Sequence, residues 1–212
     1  ALMDNMAYDV QRLDIDIRMN TEATPALVKS LTPDRIIVAA GVQSKYRDVP
    51  GVDLPHVSYP VELLENKATS GNRVIVVGGG WLGCDISVYL ARLGKEVVLT
   101  TVKEAADDLI PNLEPFSRKV FMDMMESSGV VVKGNHRIAE ITSRGASFTG
   151  DDDDVIELEA DTVVPAWGFR PDVTFNDLAH EIVPSPPFIG DCVRLGNLRS
   201  CVWPGFLAAY EI

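Results

Sequence analysis

The sequence has 212 residues, 46% of them hydrophobic and 24% charged, which is the profile of one or two folded domains and not of a disordered chain. Nineteen basic against 31 acidic side chains leave a formal net charge of −12, which argues against a nucleic-acid binder, because phosphate demands a basic face. No run approaches 18 uninterrupted apolar residues, so no membrane-spanning helix is expected. Residues 1–5 lack the basic and apolar segments of a secretory signal, and a chain opening on Ala1 reads as trimmed or excised.

The elements follow in chain order. Leu2, Met3, Met6, Ala7, Val10 and Leu13 recur at helical spacing over residues 1–13. Residues 14–19 alternate polar and apolar, the pattern of a half-buried strand. Thr24 before Pro25 is a helix start, a hydroxyl cap followed by proline at the first helical position. Residues 35–41 form a short apolar run closed by glycine, as in a strand buried on both faces. Residues 42–58 are rich in Pro and Gly and read as a linker, with a short helix near 61–66.

A new unit starts at Asn72. Residues 73–77 are a buried strand that runs into Gly78-Gly79-Gly80-Trp81-Leu82-Gly83. A helix follows, with Leu82, Ile86, Leu90 and Leu93 on one face and Gly94 as its stop, and then a strand over 96–100. Residues 115–127 read as an amphipathic helix in which Met124 and Met125 fill the core. A strand is expected over 130–132, an antiparallel meander over 138–158, and a strand over 161–164 that ends at Ala166-Trp167-Gly168. The acidic run 151–154 reads as a solvated hairpin turn. Pro171, Pro184, Pro186 and Pro187 then punctuate an irregular stretch before a terminal helix from about 198 to 212, with Pro204 as an alternative start. The strand, glycine loop, helix and strand in succession open a doubly wound α/β fold, a Rossmann-like parallel sheet with an antiparallel meander.

The chemistry concentrates in Gly78-x-Gly80-x-x-Gly83. The first glycine allows the tight turn, the second lets a diphosphate approach the backbone, and the third lets helix and strand pack closely. The helix N-terminus, with Gly79, Trp81 and Leu82 in the same loop, offers N–H groups and partial positive charge to a dinucleotide or to ADP. An acid is expected about 20 residues after the first glycine, where it would bond the ribose 2′-OH. Thr101 stands there instead, with Lys103 beside it. Loss of the carboxylate and gain of a cation tilt the balance toward NADP(H), with NAD(H) and a structurally held ADP left open.

Other chemistries find little support. His56, His136 and His180 lie far apart without metal spacing, so no metal site is expected. No Gly-x-Ser-x-Gly elbow is present. Cys84, Cys192 and Cys201 are an odd, sparse set without a Cys-x-x-Cys pair, which suggests a reducing, cytoplasmic compartment and makes thiol redox catalysis the weakest alternative.

The order of motifs resembles the pyridine nucleotide–disulfide oxidoreductase superfamily. The carriers are Ala39-Ala40-Gly41, Val49-Pro50-Gly51-Val52-Asp53, Gly78 to Gly83, Ala166-Trp167-Gly168-Phe169-Arg170-Pro171 and Ile189-Gly190-Asp191-Cys192. The last of these, with Trp203-Pro204-Gly205-Phe206-Leu207-Ala208-Ala209, is most similar to the C-terminal part of multidomain Old-Yellow-Enzyme relatives of the 2,4-dienoyl-CoA reductase, 2-enoate reductase and trimethylamine dehydrogenase type.

That resemblance implies an NAD(P)-binding domain over 72–166, inserted in a partial FAD/ADP-binding domain made of 1–71 and 167–212. It implies that Gly190 and Asp191 approach the flavin diphosphate and ribityl chain, with Ala40 and Gly41 near the adenine side. Gly168 belongs to a cofactor-facing motif, and Asp85 stands where relatives carry Glu near the nicotinamide. The chain holds only half of the FAD site, because the family's own FAD glycine motif, its FMN-bearing barrel and its iron–sulfur cysteines belong to N-terminal domains outside it. These domains are the expected partners, beside the dinucleotide itself; neither nucleic acid nor membrane is expected. The implied activity is passage of hydride from NAD(P)H to FAD, for reduction of an enoate or dienoyl-CoA type C=C bond. The alternative is a non-catalytic module that holds structural ADP in an amine-dehydrogenase-like parent. The sequence departs from the family pattern at Ala40, where Thr is usual, and at Thr101.

Overall fold

A computed structural model describes residues 2–104, 109–110, 113–150 and 154–211. In chain order the elements are α1 (Leu2–Gln11), α2 (Pro25–Ser30), β1 (Val42–Ser44), α3 (Pro60–Leu64), β2 (Arg73–Val77), α4 (Trp81–Arg92), β3 (Glu96–Thr100), α5 (Pro115–Ser127), β4 (Val131–Lys133), β5 (Arg137–Thr142), β6 (Gly145–Thr149), β7 (Val155–Glu159), β8 (Thr162–Pro165), β9 (Phe169–Pro171), α6 (Asn176–Ile182) and α7 (Leu198–Tyr210). They form two compact units, one of residues 41–171 and one of residues 1–40 with 172–212. Among the described residues no helix is long and apolar enough to cross a membrane.

The 41–171 unit is an α/β fold around a four-stranded parallel sheet in the order β4-β3-β2-β8. Val74 of β2 pairs with Val97 of β3 and with Thr162 of β8, and the register holds along the strand. Alternation along β2 sends its side chains to two cores. Val74 and Val76 pack with Ile86, Leu90, Leu99 and Met125 on the helical side. Ile75 and Val77 pack with Ile141, Phe148 and Val163 on the side of the antiparallel sheet β5-β6-β7. Each fully buried Val, Ile or Leu contributes about 1.5–3 kcal/mol, so the strand that precedes the glycine loop is firmly anchored by its four buried residues. Helix α5 starts where Glu114 accepts N–H bonds from Phe116 and Ser117, with Pro115 at its first position; these bonds hold the Glu114 carboxyl below the usual range.

Residues 42–58 are not a free linker. β1 pairs antiparallel with β9, Val49 is buried in the second core, and Ile141 donates its N–H to the Pro50 carbonyl at 2.8 Å. Proline and glycine serve here as turn formers that lay the segment on the antiparallel sheet. Of the acidic run, Asp151, Asp152 and Asp153 lie outside the described residues; the Asp154 carbonyl accepts the Gly150 N–H at 2.9 Å and Asp154 is exposed.

The other unit has a small core of Val38, Ala179 and Cys192, with Ile36, Ala40, Phe175 and Phe188 against it. Three expectations fail in it. Residues 14–19 form no strand and are exposed throughout, because alternation needs an adjacent strand edge and the described residues supply none. Residues 35–41 are not a buried strand; they make a single parallel bridge, Val38 to Phe188, and Val38 alone among them is fully buried. The terminal helix begins at Leu198, as expected, because Asn197 and Ser200 form a capping box, and Pro204 sits inside it rather than at its start. The stretch after Pro171, expected to be irregular, contains α6.

Candidate functional site

The turn between β2 and α4 is shaped by three glycines with three different tasks. Gly78 has φ +124°, and a side chain there would bring a methyl carbon to 2.7 Å from the Ala166 carbonyl oxygen. Its N–H donates to the Thr100 carbonyl at 2.9 Å, which continues the β2–β3 ladder into the turn. A Cβ on Gly83 would collide with the Gly78 carbonyl, so its absence lets α4 lie against the end of β2; Ser87 Oγ donates to the Gly83 carbonyl at 2.6 Å. Gly80 is the N-cap of α4 with φ −85°, and a Cβ there would meet nothing within 4 Å. The first helical bond is Cys84 N–H to Gly80 carbonyl at 3.0 Å. The N–H groups of Trp81, Leu82 and Gly83 thus have no acceptor within the helix, which is the anion-binding arrangement of a helix N-terminus.

A cleft of about 270 Å³ lies at this turn, lined by Gly79, Gly80, Trp81, Thr101, Val102, Lys103 and Ile110. Gly79 serves packing: a methyl there would collide with Leu109 and come within 2.8 Å of Thr101 Cβ. Thr101 is buried, and its Oγ1 accepts the Lys103 N–H at 3.2 Å. Its backbone N–H donates to Lys133, and its carbonyl accepts from His136. Thr101 therefore organises the turn that carries Lys103 to the cleft. Trp81 is half exposed and meets the Phe121 ring edge-on, with centroids 5.8 Å apart. An open approach at Gly80, unpaired helix N–H groups and a lysine at the end of β3 suit a diphosphate-bearing nucleotide, so the residues present fit such a cofactor.

The remaining candidates lie elsewhere. Leu82 turns into the helical-side core. Asp85 is exposed on α4 outside the cleft lining, its carboxyl pushed up by desolvation. Gly168, at φ +83°, accepts the Lys45 N–H at 2.9 Å and is also outside the lining. Gly41 has φ +75° and open space around it. In the other unit Ala40 packs on the small core. Gly190 (φ +69°) opens a 3-10 turn through Cys192. Asp191 Oδ1 accepts both the Gly196 N–H at 3.0 Å and the Cys201 thiol at 3.4 Å.

The three cysteines are free. Cys84 is fully buried, and desolvation, then Asp85, pushes its thiol up to about 12. Cys192 is buried and donates to the Ile189 and Val38 carbonyls. Desolvation, then the Asp191 carboxylate, raises Cys201. Among the described residues no group of three His, Cys, Asp or Glu side chains is placed to hold a metal. Sequence reasoning missed Val102 and Ile110 in the lining and Cys201 on Asp191. Val102 falls between two named residues; the other two have no local signal.

The sequence profile of the pyridine nucleotide-disulphide oxidoreductases matches residues 5–183. Bilirubin reductase of Mediterraneibacter gnavus is 27% identical over 205 residues, 96% of this chain and 31% of that protein. Cinnamate reductase of Clostridium sporogenes is 27% identical over 206 residues, 94% of this chain and 29% of that protein. The solved structure of a 2-naphthoyl-CoA reductase in complex with 2-naphthoyl-CoA superposes with a TM-score of 0.88 at 25% identity, over 97% of this chain and 31% of that one. The chain thus spans less than a third of the length of these relatives. The glycine turn and parallel sheet are those of an FAD- and NAD(P)-binding Rossmann-like fold, and the chain belongs to the pyridine nucleotide-disulphide oxidoreductase family.

Proposed function

We propose that this chain is the NAD(P)H-entry module of a larger flavin-dependent oxidoreductase that reduces an activated C=C bond of enoate or acyl-CoA type, with FMN and iron–sulfur centres in its remaining length. The observation that carries the reading is the open, glycine-walled N-terminus of α4, with Lys103 lining the same cleft. Relatives named for cinnamate and for 2-naphthoyl-CoA support the substrate class. On this reading residues 72–166 are the NAD(P) domain, and residues 1–71 with 167–212 are half of an FAD/ADP domain.

The chain's own residues bind and orient. Gly80 leaves room for the diphosphate, and the N–H groups of Trp81, Leu82 and Gly83 donate to its oxygens in the positive field of the helix end. Lys103 pairs with the 2′-phosphate of NADPH, and the absence of an acid at Thr101 removes the repulsion that would reject it. Trp81 and Ile110 exclude water from the cleft. Asp85 and Gly168, which lie outside the cleft lining, are assigned to the nicotinamide end by the family resemblance alone. Asp191, held through Oδ1, offers Oδ2 to ribityl hydroxyls, with Gly190 allowing close approach. When bound, NAD(P)H supplies hydride and FAD accepts it, and that redox chemistry belongs to the cofactors; no side chain here is required as a general base.

The modest cleft volume favours one second reading, a module that retains ADP as a structural ligand. Calorimetric titration of the purified chain with NADPH, NADH and ADP separates the two. Micromolar binding of a reduced nicotinamide nucleotide supports hydride entry. Binding of ADP alone supports the structural-ligand reading, and no binding refutes both.

A further inference from the structure

Ile110 lines the cleft in an unusual state. It is buried, with 3% of its surface exposed, and its backbone has φ +49°. A β-branched side chain in the left-handed region is a genuine outlier, and such a conformation persists only where its surroundings over-determine it. The surroundings are specific. The Ile110 carbonyl accepts the Leu113 N–H at 3.1 Å and Arg118 Nη1–H at 3.2 Å. The guanidinium reaches it from the second turn of α5, and its Nη2 is buried without a hydrogen-bond partner among the described residues. Burying an unpaired guanidinium N–H is unfavourable, so Arg118 is poorly explained as a saturated stabilising contact. Three residues further along α5, on the same helix face, Phe121 meets the ring of Trp81. One helix thereby touches two cleft-lining residues, Ile110 through Arg118 and Trp81 through Phe121.

We infer that Arg118 is a positioning residue for nucleotide binding: its hydrogen bond to the Ile110 carbonyl holds the strained Ile110 in place as part of the cleft wall. The inference rests on the reading of this cleft as the NAD(P)H site. Arg118 itself does not line the cleft. Its effect is therefore on the shape that the nucleotide meets, so it tunes affinity more than any reactive step.

The test is titration of the full chain and its Arg118→Met, Arg118→Lys and Ile110→Asn variants with NADPH and NADH, with thermal midpoints alongside. Loss of the bond in Arg118→Met is expected to raise the Kd about tenfold, a step of about 1.4 kcal/mol. Arg118→Lys keeps a cationic donor and is expected to fall between wild type and Met. Asparagine tolerates the left-handed region, so in an Ile110→Asn background the effect of Arg118→Met should shrink, a coupling that a purely structural role would not produce. Equal Kd values in the folded variants, or strictly additive effects in the cycle, overturn the inference. Should Arg118→Met fail to fold, the Arg118→Lys and Ile110→Asn cycle carries the same criterion. Absence of NADPH and NADH binding by the wild-type chain refutes the cofactor reading instead, which keeps the two failures distinct.

Discussion

Alanine at Gly83 and alanine at Gly80 are the same chemical change three residues apart, with different expected consequences. At Gly83 the new methyl collides with the Gly78 carbonyl oxygen, lies 2.9 Å from the carbonyl carbon, and reaches 3.4 Å from Ala166 Cβ. Neither partner is a flexible side-chain end, so α4 must shift as a body, and six of its residues are buried. Overpacking of this kind costs about 1–3 kcal/mol. The gain in helix propensity from Gly to Ala, about 1 kcal/mol, offsets part of the upper end. A net loss of about 2 kcal/mol corresponds to a fall in Tm of about 4–8 °C for a chain of this size. At Gly80 the φ of −85° suits any L-residue and the methyl meets nothing within 4 Å. Exchange of Gly for Ala at an N-cap costs about 0.5 kcal/mol, a change of about 1–2 °C. The same methyl, however, occupies the approach to the helix N-terminus, and NADPH affinity should fall about tenfold or more. Thermal melts by circular dichroism with a parallel NADPH titration check both. A Gly83→Ala chain that melts like wild type, or a Gly80→Ala chain with unchanged affinity, would refute the assignment of one glycine to packing and the other to the ligand.

Three further outcomes are expected from the same structure. Backbone N–H donation from Arg73 at 2.8 Å, then the Arg73 side chain, holds the Asp161 carboxyl below its usual range. A depressed folded-state pKa stabilises above the unfolded value of about 4 and is lost as pH falls through the folded one; the stability gap between wild type and Asp161→Asn, present near neutral pH, should therefore close in melts run at progressively lower acid pH. Iodoacetamide labelling near pH 8 should modify the native chain at Cys201 and leave the buried Cys84 and Cys192 unlabelled until it unfolds, as read by mass spectrometry. Lys103→Glu puts a negative charge in the cleft lining and should lower the preference for NADPH over NADH by about tenfold or more in paired titrations; an unchanged ratio would move 2′-phosphate recognition away from the end of β3.

The legible parts of this chain are those where every signal lies within a few residues. The Val-rich run of β2, the three glycines and the helical period of α4 each state their own conformation, and the parallel partner strands make that run buried on both faces. The meander over β5, β6 and β7 and the proline start of α5 belong to the same class.

Residues 14–19 show the limit: the alternation is present, yet a strand is a property of a pair, and the described residues offer no edge to complete it. Pro204 reads as a helix start by local rules, and the capping box at Asn197 overrides it. The sequence alone determined the Rossmann-like turn and its three glycines, because backbone conformation at those positions depends on the absence of a side chain. Only the tertiary structure decided that Gly79 packs against Leu109 and Thr101, that Ile110 and Lys103 share a cleft wall, and that Arg118 reaches the Ile110 carbonyl, because each of these depends on distances between segments that no local pattern encodes.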